Sequence, residues 1–193
     1  MTTKQELPLK PFKSQAAWRK WLDEHHATTP GVLIKFAKVS SGVASLNYQQ
    51  ALEVALCYGW IDGQSKRIDD RFHQQRFTPR TKKSIWSKIN RAKALALIDQ
   101  GKMQPAGLRE VERAKADGRW DAAYDSPKNS IVPDDLQRAL DANPKAKAAF
   151  DKLNSQNRYA ILFRLHGAKR PETRTRHIEK FVAMLAEGKK LYE

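Results

Sequence analysis

The chain has 193 residues, 40% of them hydrophobic and 30% charged, and its 36 lysines and arginines against 21 aspartates and glutamates give a net charge of +15. This balance is typical of a folded globular protein rather than a disordered one, and no apolar run approaches the roughly 20 residues that a membrane span needs. The amino terminus also lacks the apolar stretch of a secretory signal, so we expect a cytoplasmic protein without a membrane span.

The first elements along the chain are a helix and a strand. Ser14 is a suitable N-cap, and Trp18 and Leu22 recur four residues apart, so they share one helix face. The β-branched segment 32–39 follows, in which alternate residues such as Val32 point to one side. These patterns predict a helix with an apolar face and then a half-buried strand.

A second helix and a hairpin come next. Asn47 and Gln50 resemble a capping box, and Gly59 supplies the left-handed position that ends helices, so the pattern predicts a core helix over 48–58. The mixed apolar and polar residues beyond it suit a hairpin with one wet face. Its predicted strands are residues 64–68 and 72–77.

Two further helices are predicted before residue 120. Ser84 is the predicted N-cap of the first, which Gly101 ends, and Pro105 begins the second, which ends at Gly118. The predicted buried stripe of the first helix is Ile85, Ile89, Ala92 and Ala96. The predicted inward residues of the second helix are Leu108, Val111 and Ala114.

The stretch from Asp121 to Pro133 has a linker composition and marks the one plausible boundary. Three helical pieces follow, with a break in the second near Asn154. They are residues 134–142, 144–166 and 172–187. We therefore predict an α+β fold with two parts. The core domain, residues 1–125, contains a small antiparallel sheet of about three strands packed against helices. The helical C-terminal region, residues 126–193, is packed on the core domain or tethered to it.

The positive charge is concentrated in one part of the chain. Residues 64–93 hold ten basic and two acidic residues, whereas residues 1–63 hold seven and five. A concentrated block creates a potential that attracts and orients an anion, and guanidinium groups match planar oxyanions. The sequence therefore predicts an anion site in this block.

Three features of the block converge on that site. Arginines fall on the predicted hairpin, a basic run precedes a helix start, and aromatic rings are interleaved with the charges. Each feature also has a simpler explanation. The arginines can form the solvated face of the hairpin, the basic run can be a solvated loop, and the aromatic rings can belong to the core. The predicted ligand-binding residues are Trp60, Asp62, Arg67, Arg76, Arg80, Ser84, Trp86, Ser87 and Asn90.

Catalytic and metal templates do not match. The chain contains no Gly-x-Ser-x-Gly, Walker, Gly-x-Gly-x-x-Gly or His-Glu-x-x-His motif, and its histidines lack partners at metal spacing. We therefore predict no metal and no cofactor. Cys57 lies in an apolar run, where a buried structural thiol is the usual interpretation.

Several strings carry a resemblance that spans nearly the whole chain. They are Cys57-Tyr-Gly-Trp-Ile-Asp-Gly, Phe77-Thr-Pro-Arg, Ser84-Ile-Trp-Ser-Lys-Ile-Asn and Ala168-Lys-Arg-Pro-Glu-Thr-Arg-Thr-Arg-His-Ile. The chain resembles the bacterial family called bacteriocin-protection, YdeI or OmpD-associated. That resemblance implies a link to bacteriocin or peptide resistance and to an outer-membrane porin, and it implies no reaction or cofactor.

Three functions compete at this point. The first is a binding module, rather than an enzyme, for a phosphate-bearing or carboxylate ligand, with a small anion or nucleic acid as the partner. The second is an uncharacterised enzyme with a pocket around Trp60–Asn90. The third is a helper protein whose basic stretch from Lys169 to Arg176 docks on an acidic partner. The sequence indicates no particular protein partner.

Overall fold

The structure is a computed structural model that describes residues 6–193. The chain divides into two compact units, the second of which begins at Tyr124. We call residues 6–123 the sheet unit and residues 124–193 the helical unit. No helix within the described residues is long and apolar enough to cross a membrane.

The sheet has four strands within residues 6–193. They are β1 (Leu9–Pro11), β2 (Val32–Ala37), β3 (Trp60–Arg67) and β4 (Phe72–Pro79). Their order in the sheet is β1-β2-β4-β3; β1 runs parallel to β2, and the other two pairs are antiparallel. The central pair aligns Leu33 with Arg76 and Lys35 with Gln74, which determines which side chains share a face.

Four α-helices belong to the sheet unit, together with a short 3-10 turn at Val39–Ser41. They are α1 (Gln15–His25), α2 (Tyr48–Cys57), α3 (Lys88–Asp99) and α4 (Pro105–Ala116). Ser14 caps α1 through the backbone N–H of Ala17, and Asn47 and Gln50 form the predicted capping box of α2. Pro105 begins α4, as its fixed φ and missing N–H favour.

One face of the sheet forms the core of this unit. Residues of β2 alternate between buried and partly exposed, and Val32, Ile34 and Phe36 are the buried ones. Trp18 of α1 packs on this face, and its indole N–H donates to the carbonyl of Ala51 in α2 at 3.1 Å. Each fully buried apolar side chain of this size stabilises the fold by about 1.5–3 kcal/mol.

The helical unit has its own core. Its helices are α5 (Asp134–Asp141), α6 (Pro144–Asp151), α7 (Ser155–Gly167) and α8 (Pro171–Ala186). The buried side chains that hold them together include Leu136, Leu140, Phe150, Ile161, Leu165 and Phe181. Asn154 caps α7 through the N–H of Asn157, so the predicted break near Asn154 is confirmed.

The predicted α+β class with a helical C-terminal region is confirmed, but the sheet differs in detail. It has a fourth strand, β1, which makes it mixed rather than antiparallel. With three residues, the last of them Pro11, β1 is too short to show an alternating pattern. The predicted hairpin is confirmed, although its strands are longer at the ends nearest Trp60 and Pro79.

Two predictions about α3 are wrong. The helix begins at Lys88 with Ser87 as N-cap, not at Ser84, and its buried residues are Asn90, Ala94 and Leu97. Ile85 and Ile89 of the predicted stripe are 50% and 51% exposed. Apolar residues lie nearly all round this helix, so periodicity alone does not select the buried face. In α4, Val111 and Ala114 are buried as predicted, but Leu108 is 38% exposed.

Candidate functional site

Trp60 lies in the core of the sheet unit. Its side chain is 1% exposed, and its indole N–H donates to the carbonyl of His26 at 3.2 Å. The rings of Trp18 and Trp21 meet it edge-on, with centroids at 6.1 and 5.9 Å. These contacts enclose the ring, so Trp60 stabilises the junction of β3 with α1 and presents no face for stacking.

Asp62 lies within β3 rather than in the turn that the Asp-Gly pair suggests. It pairs with Phe77 of β4, and a register shift follows before Ser65. Its carboxylate accepts a hydrogen bond from the hydroxyl of Tyr48 at 3.0 Å. Asp62 therefore lies on the helix-covered side of the sheet, where it joins β3 to the start of α2.

Arg80 and Trp86 meet in the loop between β4 and α3. The guanidinium carbon of Arg80 lies 3.6 Å from the ring centroid of Trp86, and Nη1 donates to the carbonyl of Ile85 at 3.2 Å. Trp120 packs edge-on against Trp86 with centroids 4.9 Å apart. With Arg80 5% exposed, the pair is part of the interior and holds the loop in place.

Two further arginines, Arg113 and Arg119, donate hydrogen bonds to the backbone of this loop. Arg113 donates to the carbonyl of Arg80 at 3.5 Å and forms an ion pair with Glu110. Arg119 donates to the carbonyl of Ser84 at 2.6 Å and pairs with Asp117. Sequence reasoning on the basic block missed both, because they lie beyond its last residue, Lys93.

The predicted polar residues near α3 have structural partners. The hydroxyl of Ser84 accepts the N–H of Thr81 at 2.9 Å and closes a turn, while the hydroxyl of Ser87 accepts the N–H of Asn90 at 3.0 Å. Asn90 is 9% exposed. The fold thus brings these side chains together with Arg80 and Trp86 in one loop, and their hydrogen bonds shape that loop and the start of α3.

Arg67 and Arg76 lie apart from that loop, on the hairpin. Arg67 donates to the backbone carbonyl of Asp69 at 3.2 Å and pairs with the carboxylate of Asp70 at the hairpin end. Arg76 is exposed and lies on the sheet face opposite to the buried Phe77. Of the nine predicted residues, Arg76 is the cation that stands on an open surface of the sheet.

We call that surface the open sheet face. Strand alternation and the registers assign its members: Leu33 and Lys35 from β2, Phe72, Gln74, Arg76 and Thr78 from β4, and Ile61, Gly63 and Lys66 from β3. Gln74 pairs with Lys35 on one side and with Lys66 on the other, so the two lysines flank it. A Cβ on Gly63 would lie 3.6 Å from Cβ of Arg76, an ordinary van der Waals contact, so Gly63 lies beside the arginine stem.

The electrostatics of this face are one-sided. Among its described strand residues Lys35, Lys66 and Arg76 are cationic and none is acidic, because Asp62 lies on the opposite face. Lys35 Nζ sits 4.0 Å from the centroid of the Phe72 ring, which orients the ammonium group. Asp69 lies in the turn that joins β3 to β4. The backbone N–H of Arg71 lowers the pKa of Asp69, as do the N–H of Phe72 and the charge of Lys35.

Two family models match the chain. The one described as "Domain of unknown function (DUF8412)" covers residues 10–110, and the one described as "Bacteriocin-protection, YdeI or OmpD-Associated" covers residues 129–188. No curated protein and no solved structure matches the chain. The resemblance noted from sequence motifs is thus confirmed in the helical unit, while its strings between Cys57 and Asn90 fall in the part that the other model covers.

Proposed function

The chain belongs to the family described as Domain of unknown function (DUF8412) and carries a bacteriocin-protection, YdeI or OmpD-associated domain, and from this premise we propose that it is a binding module for an extended polyanion, single-stranded nucleic acid by class. The site is the open sheet face. The observation that carries the proposal is the grouping of Lys35, Lys66 and Arg76 on one face with no strand carboxylate among them.

The flat shape of a sheet favours an extended ligand. Neighbouring strands lie about 4.8 Å apart, so Lys35 and Lys66 on either side of Gln74 are separated by about twice that distance at their backbones. Arg76 is two residues further along β4, which adds about 7 Å in the other direction. A chain of phosphates can contact all three cations with the side chains spread over the face, which a single small anion does not require.

The exposure of the cations also supports binding. Lys66 and Arg76 are exposed and Lys35 is partly exposed, so their charged groups reach solvent without unfolding the sheet. Arg80 contrasts with them, because it is buried against Trp86. An exposed cation can neutralise a phosphate and release the counterion condensed on it, which is the source of most non-specific affinity for nucleic acid.

The second family is named for bacteriocin protection, and the charge of this chain favours an indirect role in it. A protein with a net charge of +15 repels cationic antimicrobial peptides, so it is ill suited to sequester them. Binding of a nucleic acid suits this charge. The alternative of an enzyme requires the Trp60–Asn90 side chains in one pocket, yet Trp60 and Trp86 are enclosed and Arg76 faces away from Asp62.

The experiment is fluorescence anisotropy of the full chain with a labelled 12-nucleotide oligothymidylate. Three phosphate contacts predict a log–log salt slope of about −2 for a single strand. The triple variant Lys35→Gln, Lys66→Gln, Arg76→Gln should bind at least tenfold more weakly, with a slope closer to zero. The matched control changes the exposed Lys20, Lys102 and Arg109 to Gln, which removes the same charges from outside the open sheet face.

The two variants separate local binding from net charge. Binding that falls equally in both variants would mean that total charge, and not this face, attracts the oligonucleotide. Absence of binding by the unchanged protein at 50 mM salt would also refute the proposal. Either result would return the function to the indirect helper role that its family description allows.

A further inference from the structure

The helical unit contains a cavity of about 220 Å³ that the polyanion proposal does not use. It lies between α7 and the segment that leads into α5. Its lining comes from Tyr124, Asp125, Ser130, Ile131, Pro133, Tyr159, Leu162, Phe163, His166 and Arg174. Eight of these residues fall inside the stretch 129–188 that the second family model covers.

Aromatic rings form much of the wall. Tyr159, Phe163 and His166 follow one another at spacings of four and three, so they share one face of α7. Tyr124 meets Phe163 edge-on with centroids 5.0 Å apart, and Tyr159 lies 5.8 Å from Phe163. Such offset and edge-on arrangements are those that a further ring can join at low cost.

The polar groups of the lining are engaged by the protein. The hydroxyl of Tyr159 donates to the carbonyl of Asp125 at 2.9 Å, and that of Ser130 donates to the carbonyl of Pro127 at 3.0 Å. Burial, followed by the nearby Tyr124 and Asp125, raises the pKa of Tyr159 to about 12, so its hydroxyl is neutral at ordinary pH.

The formal positive charge of Arg174 is balanced within the unit. Its guanidinium donates to both carboxylate oxygens of Asp135, and Nη1 donates to the carbonyl of Leu165 at 2.8 Å. A charged ligand would therefore compete with an existing pair before it gained anything from Arg174. The carboxylate of Asp125 also lines the cavity and contributes to the raised pKa of Tyr159, so the lining disfavours an anion and offers mainly ring contact to a neutral ligand.

We propose that the cavity binds one uncharged, planar aromatic ring, either as a free small molecule or as a tryptophan side chain of a peptide. A cavity of roughly 150 Å³ is known to admit benzene, so a volume of about 220 Å³ is large enough for a planar ring system such as indole. Ile131 is 85% exposed and marks the open side of the cavity, through which a ligand enters.

The experiment is saturation-transfer NMR on the full chain with indole as the probe, alongside benzoate and benzylamine of opposite charge. Indole should show transfer, and benzoate should bind at least tenfold more weakly because the carboxylate of Asp125 repels it. Tighter binding of benzylamine than of indole would show that this carboxylate, and not the rings, selects the ligand. Titration with N-acetyltryptophanamide distinguishes the sources, because a site for a peptide side chain tolerates the backbone amides and a closed small-molecule site rejects them.

Three variants localise the probe. Phe163→Leu removes a wall ring and should raise the dissociation constant for indole at least tenfold. Ile131→Trp places an indole ring at the exposed mouth of the cavity, where the substitution does not endanger folding. The new side chain should occupy the cavity and so compete with the added indole. Leu108→Val, at an exposed position of α4 outside both proposed sites, is the control and should bind as the unchanged protein does.

Equal affinity for indole in the Phe163→Leu and unchanged proteins would overturn the proposal. So would equal affinity for indole and benzoate. Neither result bears on the oligonucleotide experiment, since Lys35, Lys66 and Arg76 lie in the other unit.

Discussion

The guanidinium of Arg80 lies 3.6 Å from the ring centroid of Trp86, and these side chains are 5% and 1% exposed. A cation so enclosed is stable because the ring face is electron-rich and the carbonyl of Ile85 accepts one of its N–H groups. The pair anchors the loop that leads from the sheet into α3, and it lies within the residues that the first family model covers.

We expect Arg80→Ala to lower the free energy of unfolding by about 2–4 kcal/mol, because it removes a desolvated cation–ring contact and a hydrogen bond. Urea unfolding followed by tryptophan fluorescence measures this. Arg109→Ala on the exposed side of α4 is the control and should stay within about 0.5 kcal/mol. An Arg80→Ala value inside that same range would show that the pair carries no stability.

Gly107 determines how closely α4 approaches α2. A Cβ at this position would lie 2.2 Å from the carbonyl oxygen of Cys57 and 2.8 Å from Cε of Met103. Since the nearer atom is backbone, the helices must separate to admit a methyl group. Gly107→Ala should therefore destabilise the sheet unit by about 3 kcal/mol, which thermal unfolding by circular dichroism would record as a lower midpoint.

Gly167 provides the matched control for that substitution. It is also helical, and a Cβ there would meet no atom within 4 Å. Gly167→Ala should be neutral or stabilising by about 0.5 kcal/mol, because alanine loses less backbone entropy in a helix. Similar midpoints for the two alanine variants would contradict the close approach at Gly107.

Asp135 and Arg174 make the helical unit sensitive to acid. The hydrogen bonds from Arg174 lower the pKa of Asp135 in the folded state, with a further contribution from the N–H of Leu136. A depressed carboxyl pKa contributes stability above the ordinary aspartate pKa of about 3.9, and that contribution is lost as the pH falls through the folded value. We expect unfolding of this unit to be easier at pH 3 than at pH 6.

The variant Asp135→Asn tests whether the charge of Asp135 causes this acid sensitivity. It should cost about 2 kcal/mol at pH 6, where the ion pair is intact, and less at pH 3, which lies below the ordinary aspartate pKa of about 3.9, so that the unfolded chain binds a proton. Asp141→Asn, at an exposed position of the same helix, is the control. An equal cost of Asp135→Asn at both pH values would show that the hydrogen-bond geometry, and not the charge, stabilises the unit.

Part of the candidate site could be predicted from the sequence. The concentration of arginine and lysine between residues 64 and 93 is visible without a structure, and it identified Arg76. Lys35 lies 41 positions before Arg76 in the chain, and it comes to lie beside Gln74 because β2 pairs with β4. No local pattern reveals that pairing, because strand register depends on which faces are buried together.

The aromatic residues illustrate the same division. A tryptophan among arginines suggests a stacking platform, but the sequence pattern is the same whether the ring is exposed to a ligand or enclosed in the core. Trp60 is enclosed because Trp18 and Trp21 from α1 close over it, and Trp86 because Arg80 and Trp120 do. Apart from Arg80, which is six residues before Trp86, these neighbours are distant in sequence, so their contact is a property of packing rather than of spacing.

Local sequence was sufficient for the features that depend on a few neighbouring residues: the caps of α1 and α2, the left-handed Gly59 after α2, the hairpin, the break at Asn154 and the local excess of charge. The place of β1, the exposed side of α3 and the membership of the open sheet face emerged only from the folded chain. The physical reason is that caps and turns are satisfied by hydrogen bonds within three or four residues, whereas burial and strand register are set by contacts between segments far apart in the chain.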